Sequence, residues 1–353
     1  MTTTSAQVRA AAQMPFPTAR GPLGRRLTDL LARTPHDAGA GTRALVLHAA
    51  HAAAGVADVL HDDDVQLSLF VLYELHYRGV AGVDERWEWD PDLLRVRAVL
   101  EEAVERELRA RVDVPQGVPA ERRAVADALF AMTAPGPGPS TARFVARRAT
   151  REQLDELLVQ RSVYQLKEAD PHTWAIPRLE GAPKAALVEI QADEYGGGHP
   201  DRMHYALFAR TMRGTGLDAT FGAYVDRVPA VTLAAVNTMS LFGLHRRLLG
   251  ATVGHLAAFE MTSSLPSRLY GDGFRRHGFG DDVTEYYDEH VEADAVHEQI
   301  AGRDLAGGLA EQQPALVGDI LFGAAACLYL DDLVGAHVLG AWEAGVSSLR
   351  EPS

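Results

Sequence analysis

The segment Tyr286–Glu298, YYDEHVEADAVHE, places His290, Asp294 and His297 at i, i+4 and i+7. At about 100° per residue these three side chains share one helix face over two turns. Two imidazoles and a carboxylate on one face form a ligand set for a borderline metal such as Fe(II), Mn(II) or Zn(II). The same spacing also describes a polar surface stripe, because Glu285, Asp288, Glu289, Glu292 and Glu298 decorate the other faces. Upstream, LVEIQADEYGGGHPDRMH sets Glu194 ten residues before His204, with Gly196–Gly198 between them. Each glycine inside a helix costs about 1 kcal/mol relative to alanine. Three in a row therefore mark a kinked or unwound segment, or the close approach of a backbone or ligand. If the helix is roughly continuous, Glu194 and His204 point at one centre; a plain turn at Gly196–Pro200 is the alternative.

Glu260 lies in the apolar run GHLAAFEM, where a carboxylate is costly unless it is paired or metal-bound. His255, five residues earlier, sits about 140° away round that helix and reads as a structural hydrogen-bonding histidine. Glu168, in QLKEADPH, is a further candidate ligand, although a solvated helix end beside Lys167 would look the same. Glu74 and His76 are two apart, a spacing that does not converge on a helix. Glu194, Glu260 and Asp294 together carry three negative charges, and Glu168 makes four, which two Fe(II) ions would neutralise. A mononuclear facial triad uses only two histidines and one carboxylate, so this inventory suits two metals better than one.

The elements that must position these residues read as helices. Apolar residues at three-and-four spacing mark Thr42–Leu60, Val65–Arg78, Pro91–Arg111 and Pro119–Met132, then Ala142–Ala169, Ala185–Met212, Val228–Leu241, Leu244–His277, Thr284–Ala301 and Glu311–Ser347. Asp90-Pro91 is a helix-start signature. No alternating β pattern of useful length and no repeat appears. The expected fold is an all-α bundle of about six or seven core helices with an N-terminal helical extension. The proline- and glycine-rich run Thr133–Thr141 supplies the main boundary. The expected division is a flexible arm at 1–40, possessing at most a short helix at Leu23–Ala32, a helical region at 41–135, and the ligand-bearing domain at 136–350.

Composition narrows the chemistry. The 353 residues are 47% hydrophobic and 23% charged, with a formal net charge of −14, which argues against nucleic acid or an anionic membrane as partner. The single cysteine, Cys327, excludes an intrachain disulfide, a cysteine-based zinc site and a thiolate-held cluster, and its apolar surroundings FGAAACLYL suit an inert core thiol. No flavin or nicotinamide fingerprint is visible. Neither a secretory signal nor a membrane span is evident, so the expectation is a cytoplasmic protein acting on a small molecule, with a homodimer also compatible.

In this order the ligand candidates resemble the haem-oxygenase-like non-haem di-iron oxidases, or iron-containing redox enzymes, over about residues 140–345. In that family the first ligand helix carries a Glu followed by a His, here Glu194 and His204 in the ten-residue form. The next supplies Glu260, and the last carries His-x3-Asp-x2-His as His290, Asp294 and His297. An additional carboxylate from the preceding helix corresponds to Glu168. Asp201, three before His204, competes with Glu194, and the family's habit of a first-ligand glutamate favours Glu194. The resemblance implies two Fe(II) ions, O2 as co-substrate and an external electron donor, with no catalytic residues beyond the ligands. It also implies N-oxygenation, desaturation or oxidative carbon–carbon cleavage of an amine or amino-acid-like metabolite in a biosynthetic setting. Arg202 and Arg268, with Arg276, are near enough in sequence to hold a substrate carboxylate. Two alternatives stand beside this: a non-catalytic helical binding protein, and a haem-binding member of the same fold.

Overall fold

The computed structural model describes residues 13–37, 39–136 and 138–351; at 292–295 it describes the helix but not the side chains. The fold is all-α, as expected. The helices are α1 (Pro22–Leu31), α2 (Gly41–Gly55), α3 (Asp63–Glu74), α4 (Pro91–Arg111), α5 (Arg122–Met132), α6 (Thr141–Arg147), α7 (Arg151–Gln165) and the short α8 (Asp170–Thr173). There follow α9 (Gly181–Glu194), α10 (His204–Gly214), α11 (Ala230–Leu244), α12 (Leu249–Met261), α13 (Ser264–Arg276), α14 (Asp281–Gln299), α15 (Gly308–Gln312) and α16 (Val317–Glu343). Between α14 and α15 the chain is π-helical from Ile300 to Gly307. Among the described residues the only β pairing is an isolated bridge between Met14 and Val80, and no helix is long and apolar enough to cross a membrane.

Local chemistry explains where helices start and where expected long ones divide. Asp90 accepts from the backbone N–H groups of Asp92 and Leu93, and α4 starts at Pro91 as predicted. The expected helix Ala142–Ala169 is two helices, because Thr150 and Gln153 close a reciprocal capping box that starts α7 afresh. The expected Leu244–His277 segment divides into α12 and α13. Pro266 has no N–H to return to the Thr262 carbonyl, so a continuous helix would leave that acceptor without its bond.

Parts of the expected arm pack against the bundle, at Met14 and along α1, while Ala32, Arg33, His36, Asp37, Gly39 and Ala40 are exposed. Met14 is buried and bonded to the Val80 strip, with Ala81 N–H donating to its carbonyl at 2.8 Å. Leu23, Leu27, Leu30 and Leu31 bury one face of α1. Asp64 of α3 accepts from the N–H groups of Leu23 and Gly24, satisfying orphan donors at the start of α1. Residues 1–12 of that arm lie outside the described residues.

Two apolar clusters support the bundle. The larger runs from α1–α4 through α7, α10 and α11 to Phe322 and Trp342 of α16. The second joins α5, α9, α12, the π-helical turn segment and α16. The α12–α16 pair is tightly packed. A Cβ at Gly254 would lie 1.8 Å from the Ile320 carbonyl oxygen, and one at Gly323 would lie 2.0 Å from that of Ala251. These two glycines let the backbones approach closely enough to hold the Glu260-bearing helix against the centre of the molecule.

Candidate metal centre

Five segments of the chain converge on one buried site. Glu168 projects from the turn after α7, Glu194 ends α9, His204 begins α10, Glu260 is the penultimate residue of α12, and His290 and His297 lie on α14. All six are buried. Their ligating atoms form two groups, Glu168 with His204 and His290, and Glu194 with Glu260 and His297. Within each group these atoms lie within 4.8 Å of one another. Asp294 belongs to the same helix between His290 and His297, but its side chain lies outside the described residues.

Glu194 and His204 meet in a different way from the one their spacing suggests. The helix is not continuous: α9 ends at Glu194, and Gly196, Gly197 and Gly198 take φ values of 68°, 59° and 86°. A Cβ at Gly196 would lie 2.6 Å from the Met203 nitrogen, so only glycine lets the chain double back this tightly. The reversal brings His204 Nδ1 to 3.1 Å from Glu194 Oε2. Asp201, the competing carboxylate, is exposed on that reversal.

Each histidine is oriented by a neighbour. His290 Nδ1 donates to the Tyr286 carbonyl at 2.7 Å, which leaves Nε2 facing Glu168 Oε1 at 3.5 Å. His297 Nε2 donates to Asp193 at 3.0 Å, and its Nδ1 faces Glu260 Oε2 at 3.4 Å. The Tyr286 hydroxyl donates to Glu168 at 2.8 Å. Burial, and after it Glu168, raise the Tyr286 hydroxyl well above its ordinary range, so it remains a donor. Such outer contacts set the tautomer and angle of metal-ligating side chains.

The residues suit a cationic occupant. Glu168 Oε2 is buried and makes no hydrogen bond among the described residues, while Glu194 Oε2 and His204 Nδ1 face only each other at 3.1 Å, an arrangement that costs free energy unless a further partner satisfies it. Burial alone would raise the Glu194 carboxyl; His204, then His290 and His297, reverse this and hold it down at about 2. Burial would likewise lower His297, yet Glu260 and Asp193 lift it to about 9. Both shifts have one cause: a carboxylate cluster in a low-dielectric site demands positive charge beside it. Nitrogen and carboxylate oxygen donors without sulfur are the set that iron, manganese or zinc accept.

The sequence profile of a family described as iron-containing redox enzymes matches residues 155–332, about half of the chain and all six buried ligand candidates. The chain belongs to that family. It is therefore an iron-class oxidoreductase, and the resemblance noted from its motifs is that family's. No curated protein matches the chain.

Family membership leaves other polar residues to be placed. A small cavity beside the two groups is also lined by Tyr164, His172, Gln191, Leu256, Phe259 and Ser263. Spacing arguments miss these. They also miss Asp193 and Tyr286, although Tyr286 stands one turn before His290, a readable position for a helix-face neighbour. His255 is structural, as expected: its Nδ1 is 3.2 Å from His172 Nε2. Burial lowers His172 to about 4, so this pair is neutral. Glu74 and His76 lie away from the centre, the first paired with Lys167 and the second with Arg97. Cys327 is buried, and burial pushes its thiol up, which suits an inert core position. Arg202 and Arg268 are exposed and do not line the cavity; Arg202 faces Glu289 at 3.7 Å. Arg276 donates to the carbonyls of Val145 and Ala149, a structural role.

Proposed function

We propose that this chain is an O2-activating non-haem di-iron oxidase acting on a small amine or amino-acid-like metabolite, with electrons from an external donor. The observation that carries this reading is the pairing of two buried three-ligand groups with no sulfur among them. Glu168, His204 and His290 would hold one iron; Glu194, Glu260 and His297 would hold the other, with Asp294 completing the set. When bound, the two ferrous ions supply the reduction of O2 and the oxidising power applied to the substrate.

The chain's own residues hold and shield that chemistry. Tyr286 keeps the Glu168 carboxylate oriented, and the Tyr286 carbonyl and Asp193 fix the His290 and His297 rings. Tyr164, Leu256 and Phe259 wall the cavity with aromatic and apolar surface. His172 and Gln191 add neutral hydrogen-bonding groups at its edge.

Anaerobic loading with Fe(II) tests the reading. Two irons per chain and a transient visible absorption on admitting O2 are the expected results. Retention of well under one iron per chain would overturn it in favour of a non-catalytic helical protein, and a haem absorption band after reconstitution would favour the haem-binding alternative.

A further inference from the structure

Outside the centre, the most unusual buried cluster is an ion pair. Lys167, one of only two lysines in the chain, is buried, and its ammonium donates to Glu74, which is fully buried. The rings of Tyr77, Phe70 and Phe221 surround that ammonium at 4.3, 5.2 and 5.4 Å. Such a pair is costly to desolvate, and replacing one by apolar groups of similar size is often neutral or stabilising. Global stability is therefore a weak reason for keeping it.

Its position supplies a better one. Lys167 immediately precedes Glu168 in the turn after α7, and the two side chains point opposite ways. Lys167 reaches into the N-terminal helical region, to the last residue of α3, while Glu168 faces His290 and accepts from Tyr286. The turn is conformationally demanding, because Ala169 takes φ 71°, a left-handed value that alanine rarely adopts unless its surroundings impose it. The next residue is held from the same two sides. Asp170 lies 3.8 Å from Arg78, just beyond α3, and accepts from the hydroxyl of Tyr195, the neighbour of Glu194, at 3.0 Å.

We infer that the Lys167–Glu74 pair is a positioning device through which the N-terminal helical region sets Glu168 in the metal centre. This rests on the two-iron reading and gives residues 41–135 a part in that centre. Without the anchor, the turn is free to relax its left-handed residue and swing Glu168 away from His204 and His290.

The double variant Glu74→Leu with Lys167→Met tests it, since removing both charges together leaves no uncompensated ion. Wild type and variant are each loaded anaerobically with Fe(II), and bound iron and Tm are measured together. The expected result is a near-wild-type Tm with iron falling from two per chain to one, a loss that a purely structural pair would not produce. Two irons per chain with unchanged affinity would overturn the inference. If the double variant does not fold, Glu74→Gln is titrated with Fe(II) instead; the second equivalent is expected to bind at least about tenfold more weakly, and an unchanged second equivalent overturns the inference. Wild-type protein that binds less than one iron sinks the two-iron reading itself, a distinguishable outcome.

Discussion

At the scale of single residues, the centre separates candidate ligands from the groups that aim them. Replacing Glu260 or His290 by alanine removes a donor from a buried group and is expected to abolish turnover while leaving helical content largely intact; wild-type-like activity in both variants would exclude these assignments. Tyr286→Phe deletes only the hydroxyl that orients Glu168. It is expected to weaken binding of one iron by about tenfold and leave the other unchanged, read from a stepwise Fe(II) titration. A residue remote from the centre contributes to acid sensitivity. Arg97 donates to His76 Nε2 at 2.5 Å, so that nitrogen must keep its lone pair, and burial together with Arg97 pushes the ring down to about 4. Unfolded histidine titrates near 6.5, so between 6.5 and 4 the unfolded chain binds the extra proton. This contribution to stability is present above that window and lost as pH falls through it. His76→Gln keeps an acceptor for Arg97, and its Tm should fall less than wild type's between pH 7 and pH 5; equal slopes would exclude the role.

At the scale of elements, two glycine-dependent approaches place the candidate ligands. Gly196 combines positive φ with a Cβ path blocked by the Met203 nitrogen. Gly196→Ala is therefore expected to destabilise the protein by about 1–3 kcal/mol and to lower iron occupancy by displacing His204. Both effects are measurable in one preparation, and a fully loaded variant would show that the reversal does not set that ligand. Gly254→Ala instead forces α12 from α16, an overpacking cost of about 3 kcal/mol, visible as a lowered denaturation midpoint. Helix presence was legible from periodicity, but the breaks were harder to read. The Thr150–Gln153 capping box and Pro266 are local signals that explain two of them. The unwinding between α9 and α10 is written in three glycines, whose direction of turn depends on what they pack against.

At the scale of the whole molecule, the N-terminal region is part of one apolar cluster with the ligand-bearing helices. The contacts of α1 with Asp64 and the ties from Arg20 and Arg350 to Asp63 join the first and last described segments to α3. Charge patterning and the Pro/Gly run do not reveal this, because an amphipathic helix shows that it has an apolar face without naming the surface that covers it. Buried pairs such as Lys167 with Glu74, separated by 93 residues, are likewise invisible to local patterns.

By itself the sequence determined the helical class, the single cysteine that leaves no multi-thiolate site, and the residue types and helix-face spacing of the candidate ligands. Those are local properties: a period of 3.6 residues and a donor's chemistry need no knowledge of the rest of the chain. Tertiary structure alone decided that Glu168 faces the histidines and Asp201 faces solvent. It also decided that His204 returns to Glu194 through a reversal and that the surface arginines stand apart from the cavity. Each of these depends on which helix faces meet, and that is settled by non-local packing and by the cost of leaving a buried charge without a partner.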